Sequence, residues 1–90
     1  MAVMVTFTLK TDQATYQGLH SQLLAVARPA GLLFHSAHEV EGGIAIVDFW
    51  PSGEAFQSFM EGPAGEGMKA SGIAGPDDLK ITPVLNADGR

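Results

Sequence analysis

Strongly apolar side chains occupy every second position from Val3 to Leu9, with methionine and threonine between them. A period of two places alternate side chains on opposite faces of an extended chain. The pattern therefore predicts a strand over residues 3–9, with one face directed toward a core.

The spacing then changes to that of an amphipathic helix. Thr11 or Asp12 can cap this helix, which we expect to begin at Gln13, and Pro29-Ala30-Gly31 end it. Its apolar face comprises Tyr16, Leu19, His20, Leu23, Val26 and Ala27. Such a face predicts a helix packed on a sheet.

Two further strands are predicted over Leu32–Val40 and Ile44–Trp50, and the short connection between them, with two glycines, favours a β-hairpin. A two-residue turn puts odd positions of the first strand on the same face as even positions of the second. His35 then shares a face with Asp48 and Trp50. A three-residue loop with a bulge would reverse this assignment.

A second helix follows the hairpin. Pro51 ends the strand because it cannot donate to a sheet ladder, and Ser52 can cap the helix through its hydroxyl. Glu54 in the first turn is favoured by the helix dipole. The apolar side chains at helical spacing are Phe56, Phe59 and Met60.

The last third of the chain has a weaker pattern. Residues 61–75 include five glycines, which predict a mobile, partly helical flap around Met68. Pro76-Asp77-Asp78 predicts a turn, and Leu79, Ile81 and Leu85 mark a fourth strand. We expect one domain over residues 1–86, followed by a tail over residues 87–90.

The order β-α-β-β-α-β predicts a ferredoxin-like α+β fold with a four-stranded antiparallel sheet. Both faces of the predicted hairpin are largely apolar, and the two helices can cover only one of them. Hydrophobic residues make up 46% of the chain and charged residues only 17%. The uncovered face therefore predicts a second sheet from another copy, and hence a homodimer.

Charge and composition exclude several classes of protein. A formal net charge of −5 argues against nucleic acid or an anionic membrane surface as a partner. The chain has no cysteine, so it has no disulfide and no thiolate site. No apolar run approaches the ~20 residues of a membrane span, and the start is typical of a strand rather than a signal peptide, so we expect a cytoplasmic protein.

The run Asp48–Phe59, D-F-W-P-S-x-E-A-F-x-x-F, resembles the dimeric α+β barrel superfamily, and in particular small proteins related to the antibiotic biosynthesis monooxygenases. The resemblance is carried by Trp50, Ser52, Glu54, Ala55 and Phe56. It implies a homodimer whose two sheets close against each other, with a pocket between sheet and helices in each subunit. Members include cofactor-free oxygenases of electron-rich aromatic compounds, haem-degrading enzymes, isomerases and proteins of no known activity.

One branch of that superfamily is tested by individual residues. The haem-degrading members carry a tryptophan where this chain has Phe59, and a histidine ligand where it has Met68 and Lys69. They also carry an asparagine in the first strand, where Val5–Phe7 stand here. We therefore set haem degradation aside and expect no cofactor.

The candidate chemistry lies on the hairpin face shared by His35, Asp48 and Trp50. A carboxylate beside an imidazole fixes its tautomer, which makes His35 a candidate base and Asp48 its orienting group. Trp50 offers a stacking surface for a flat ligand. Tyr16 and His20, one helical turn apart, can line the same pocket as a proton relay. The alternative is a hydrogen-bonded His35–Asp48 pair in a dimer interface.

Phe56 and Phe59 fit ordinary core packing, with pocket lining as the alternative. A metal site is not predicted, because His38 and His35 fall on opposite faces of their strand and the chain has only three histidines.

Two functions remain open at this point. The first is a cofactor-independent, oxygenase-like or isomerase-like enzyme with a pocket for a small hydrophobic, aromatic molecule. The second is a non-catalytic ligand-binding or structural homodimer. A cavity of about 300 Å³ or more that holds a histidine and Trp50 would favour the enzyme.

Overall fold

The structure, a computed structural model, describes residues 1–87. The elements in chain order are β1 (Val3–Lys10), α1 (Gln13–Ala30), β2 (Phe34–Val40), β3 (Gly43–Trp50), α2 (Gly53–Glu61), α3 (Pro63–Ala70) and β4 (Ala74–Pro83). The four strands form one antiparallel sheet in the order β2-β3-β1-β4. The predicted ferredoxin-like α+β fold is confirmed. Of the predicted tail, residues 88–90 lie outside the described residues.

Helix α1 begins where the sequence predicts, and Asp12 is its cap. The Asp12 carboxylate accepts a hydrogen bond from the Thr15 backbone N–H at 2.7 Å, which holds the pKa of this carboxyl below its ordinary value. Gly31, with a φ of +120°, ends the helix. The helix buries Tyr16, Leu19 and Ala27. Val26 was expected on this face but is 39% exposed, because it lies at the edge of the stripe.

The β2–β3 hairpin has the predicted parity. Its two-residue turn lies at positions 41–42, Gly42 has a φ of +81°, and His35 pairs directly with Asp48. A Cβ on Gly43 would lie 2.2 Å from the Leu9 carbonyl oxygen, so β3 can begin there only with glycine. The first strand of the hairpin was predicted to start at Leu32, but β2 starts two residues later, at Phe34.

Helix α2 is capped by Ser52, whose hydroxyl oxygen accepts from the Ala55 backbone N–H at 3.1 Å. Phe56 and Phe59 are buried, with exposures of 2% and 7%. Their ring centroids lie 5.9 Å and 5.1 Å from that of Trp50. The expectation of core packing for both phenylalanines is confirmed.

Helix α3 lies within the segment predicted as a partly helical flap. Residues 63–70 form a helix that buries Ala64 and Met68. A Cβ on Gly65 would lie 2.5 Å from the Met60 carbonyl oxygen, so this glycine permits close packing of α3 on α2. The helix around Met68 agrees with the prediction, and it is continuous over residues 63–70 because packing outweighs the low helix propensity of glycine. The mobility of this segment stays a prediction.

Strand β4 also differs from its prediction. It begins at Ala74 and includes residues 76–78, where a turn was predicted. Its pairing with β1 is irregular at these residues. Asp78 has a φ of +54° there, so the residues predicted to form a turn make a bulge within the strand and do not reverse the chain. Leu85 lies beyond the strand and is fully exposed.

The core lies between the sheet and the helices, on one face of the sheet. The opposite face, which we call the outer face, carries the alternate side chains of the same strands. Phe34 there is 47% exposed and Val40 is 39% exposed, while Val47 and Phe49 are partly buried. The aromatic rings of Phe34 and Phe49 meet edge to face at 6.1 Å. An apolar outer face supports the homodimer, which stays a prediction.

Candidate functional site

Four side chains form a continuous hydrogen-bonded chain on the helix side of the sheet. The Tyr16 hydroxyl lies 2.6 Å from Nε2 of His35, and Nδ1 of His35 lies 2.6 Å from Oδ1 of Asp48. The indole N–H of Trp50 donates to Oδ2 of Asp48 at 3.4 Å. Because the carboxylate accepts from Nδ1–H, Nε2 of a neutral imidazole is left to accept from the Tyr16 hydroxyl.

The register of the β2–β3 hairpin brings the strand residues of this hydrogen-bonded network together. Direct pairing of His35 with Asp48 puts imidazole and carboxylate side by side, and Trp50 follows on the same face two residues later. Among the described residues, Asp48 is the only charged side chain in the core, with an exposure of 6%. A buried carboxylate is costly without donors, and here the imidazole and the indole supply them.

Tyr16 enters the site from α1, and His20 follows it one turn later. The His20 ring stacks on that of His35 with centroids 5.3 Å apart and lies 5.5 Å from the Tyr16 ring. The hydrogen bond of the Tyr16 hydroxyl therefore goes to His35, while His20 contributes a ring face. His20 is partly exposed, whereas Tyr16 is buried.

The phenol of Tyr16 is held in its protonated form. Burial, and secondly the negative charge of Asp48, raise its pKa to about 12. Its hydroxyl is therefore a hydrogen-bond donor at neutral pH, which agrees with donation to Nε2 of His35.

The site borders a cavity of about 50 Å³, which we call the inner cavity. All of the predicted site residues line it: Tyr16, His20, His35, Asp48, Trp50, Phe56 and Phe59. Its volume is well below the ~300 Å³ typical of small-molecule sites and suffices for small groups or a few waters. Trp50 is fully buried between aromatic side chains, so its ring offers no open stacking surface.

A wider depression of about 570 Å³, the outer groove, lies between α1 and the edge strand β2. Its lining shares His20, Leu24, Leu32 and His35 with the inner cavity. The two histidines therefore stand on the boundary between the two spaces. His35 is accessible from the groove, with a side-chain exposure of 17%.

The second half of α1 contributes side chains to this site that the sequence pattern did not predict. Leu24 and Arg28 line the outer groove together with His20. The signal that could have found them is their spacing, since three residues four positions apart form one stripe along a helix. His38 lies on the other face of β2 and is exposed.

Residues 1–87 contain neither a cluster of metal ligands nor a membrane-spanning helix. No three histidine, aspartate or glutamate side chains there come together as metal ligands. No helix in this part of the chain combines the length and the hydrophobicity needed to cross a bilayer.

Solved structures with the same arrangement of strands and helices are known. A proposed antibiotic biosynthesis monooxygenase from Caulobacter crescentus matches with a TM-score of 0.72 at 18% identity, over 94% of this chain and 91% of that one. SnoaB, a cofactor-independent oxygenase from Streptomyces nogalater, matches with a TM-score of 0.66 at 11% identity, over 96% and 93%. The chain has their fold. The resemblance to antibiotic biosynthesis monooxygenase-like proteins is thus confirmed at the level of the fold.

A haem-degrading protein shares the fold less closely. Rv3592 from Mycobacterium tuberculosis matches with a TM-score of 0.52 at 21% identity, over 99% of this chain and 100% of that one. The sequence matches no protein-family model and no curated protein. The exclusion of haem degradation stays a prediction. Phe59, where those enzymes carry tryptophan, packs here against Trp50.

Proposed function

We propose that this protein is a cofactor-independent enzyme that removes a proton from a small, hydrophobic, aromatic substrate such as a phenol or an enol. The anion then reacts with dioxygen or is reprotonated elsewhere as an isomer. The observation that supports this proposal is the hydrogen-bonded chain Tyr16–His35–Asp48, whose middle member, His35, lines both the inner cavity and the outer groove.

His35 is the base. Asp48 fixes its tautomer by accepting a hydrogen bond from Nδ1–H, so the lone pair of Nε2 faces Tyr16. An imidazolium formed by proton uptake at Nε2 stands 2.6 Å from the buried carboxylate, which compensates its charge. Trp50 keeps Asp48 in place through its indole N–H rather than by stacking on the ligand.

Tyr16 connects the substrate to the base. Tyr16 lines the inner cavity and not the outer groove, and its hydroxyl already donates to Nε2 of His35. A substrate hydroxyl that reaches from the groove into the inner cavity donates to the Tyr16 oxygen while Tyr16 passes its own proton to His35. One proton leaves the substrate and one arrives at Nε2, and Tyr16 ends unchanged. Because the pKa of Tyr16 is about 12, a free phenolate does not accumulate, and both transfers occur together.

The oxygen step needs no further redox group. The substrate anion donates electrons to dioxygen, a carbon–oxygen bond forms at a ring carbon, and loss of water breaks the oxygen–oxygen bond. A phenol and dioxygen then give a quinone and one water, and each product receives one of the two atoms of the dioxygen. In the isomerase variant, the proton taken up by His35 returns to a carbon of the anion rather than to its oxygen, and dioxygen is not used. The fold shared with SnoaB supports the first variant.

A second function is favoured by the small volume of the inner cavity. At about 50 Å³ it does not hold an aromatic ring, and the His35–Asp48 pair is also a satisfied structural contact. Together with the apolar outer face, this supports a non-catalytic ligand-binding or structural homodimer. The pair faces the helices, so a partner on the outer face would not cover it.

The test separates proton removal from oxidation. The wild type is incubated without oxygen in deuterated buffer with a panel of polycyclic phenols and hydroquinones, and exchange of ring C–H for deuterium is followed by mass spectrometry. Oxygen uptake is measured separately in air. His35→Gln removes the base, and His38→Gln on the same strand but the other face is the matched control.

We expect the wild type and His38→Gln to accelerate exchange, and His35→Gln to lose about 10²-fold or more of that acceleration. Exchange with oxygen uptake identifies an oxygenase, and exchange without uptake an isomerase. A wild type that accelerates neither exchange nor oxygen uptake across the panel would overturn the enzyme in favour of the non-catalytic homodimer.

A further inference from the structure

The outer groove has an unusual balance of charge for this protein. The chain carries ten aspartate and glutamate residues against five lysine and arginine residues. The groove lining nevertheless includes no carboxylate. Its polar side chains are His20, Arg28 and His35, and the remainder are leucines and one phenylalanine. The only polar side chains of this apolar depression are thus one guanidinium and two imidazoles. Such a lining attracts a ligand that is itself apolar and negatively charged.

Arg28 is the permanent positive charge of this groove. The ion pairs among residues 1–87 are Lys10–Asp77 and His35–Asp48, so no described carboxylate neutralises the guanidinium. Its position in the last turn of α1 also suits the helix dipole, but that role leaves its donors free. A free planar guanidinium binds a carboxylate through two parallel hydrogen bonds.

The spacing along α1 sets the size of the ligand. His20, Leu24 and Arg28 follow one another at intervals of four residues on one side of the helix. Eight residues of helix span roughly 12 Å, which is the scale of a fused two- or three-ring aromatic compound. Such a ring system would lie over Leu24 and Leu32, with one end at Arg28 and the other at the histidines.

We propose that the outer groove binds aromatic carboxylates, with Arg28 holding the carboxylate and the opposite end of the ring system directed at His20 and His35. The identification of such an acid as the substrate rests on the proposed function, whereas its binding does not. Arg28 is then a specificity-determining residue of the site.

The experiment compares two ligands that differ in charge. Dissociation constants of 6-hydroxy-2-naphthoate and its neutral twin 6-hydroxy-2-naphthamide are measured by NMR titration at low salt. The proteins are the wild type, Arg28→Gln, Arg28→Lys and Lys80→Gln. Lys80 is an exposed cation on β4 outside the groove and serves as the control.

We expect the wild type and Lys80→Gln to bind the naphthoate about three- to tenfold more tightly than the amide, a range set by a partly solvated, two-pronged contact. Arg28→Gln should remove the preference, and Arg28→Lys should keep part of it. Equal binding of both ligands by the wild type, a preference that survives in Arg28→Gln, or no binding of either at millimolar concentration overturns the proposal.

His35→Gln distinguishes this inference from the proposed function. If it keeps the preference for the naphthoate while the wild type shows no proton exchange, the groove binds acids without catalysis. If phenols are turned over but the acid binds no better than the amide, the enzyme stands and the role of Arg28 fails.

Discussion

The two faces of the sheet are built from alternate residues of the same strands, yet they differ in what they leave unsatisfied. The helix face of β2 and β3 holds a buried carboxylate, a buried indole and a partly buried imidazole, each with a hydrogen-bond partner. The outer face carries apolar side chains such as Phe34 and Val40 in contact with solvent. The first face is complete within one chain, and the second is not. Chemistry is therefore expected on the helix face and association on the outer face.

The largest difference between the faces should appear in stability. Trp50→Ala removes a fully buried side chain and should lower the free energy of unfolding by about 3–5 kcal/mol. Phe34→Ala on the outer face removes a half-exposed ring and should cost less than about 1.5 kcal/mol. Urea unfolding at a single low protein concentration measures both. Equal losses would contradict the contrast between the faces.

The outer face should decide the oligomeric state. We expect the wild type to sediment at twice its chain mass of 9.4 kDa at micromolar concentration, and Phe49→Asp to sediment as one chain. Val26→Asp places the same charge on an exposed apolar position of α1 and should leave the assembly intact. A wild type that sediments as a single chain would contradict the predicted homodimer.

On the helix face, Asp48→Asn tests the buried polar chain. The amide oxygen still accepts from His35, but the amide nitrogen cannot accept from the Trp50 indole, so we expect a loss of about 1–3 kcal/mol. Asp78→Asn is a matched control, because asparagine tolerates the positive φ of that exposed position. Chemical denaturation of the two variants gives the comparison, and an unchanged Asp48→Asn would mean that the indole bond contributes little.

The smallest effect lies at high pH. Tyr16 is the only tyrosine, so the ultraviolet absorbance of phenolate reports it alone, with an expected midpoint near pH 12 rather than 10. Because the folded-state pKa is raised, the stabilising contribution is complete below pH 10 and is lost as pH rises to about 12. Tyr16→Phe should flatten this part of the stability profile. A midpoint at the ordinary value would show that the phenol is solvated.

The sequence was sufficient for the parts of the site that depend on local geometry. A two-residue turn and the alternation of a strand decide that His35 and Asp48 share a face, and the structure pairs them directly. The caps of α1 and α2 are Asp12 and Ser52, and each binds the backbone N–H group three residues further along the chain. These features depend on few residues close together in the chain.

The sequence was insufficient where distant elements meet. The hydrogen bond from Tyr16 to His35 depends on how α1 crosses the sheet. Gly65 lowers helix propensity locally, yet α3 forms because it packs on α2. The inner cavity is small because Phe59 and Met68 fill the space beneath the helices, and such filling cannot be deduced from periodicity.

The turn at residues 41–42 has a consequence for variation in this chain. Gly42 and Gly43 fix the offset between β2 and β3, and with it the meeting of imidazole and carboxylate several residues away. Loss or gain of one residue in that turn would send His35 to the sheet surface opposite Asp48, although every active side chain would still be present. A change of two residues would preserve the side on which it lies. Indels of odd length in this loop are therefore expected to abolish function even where the protein still folds.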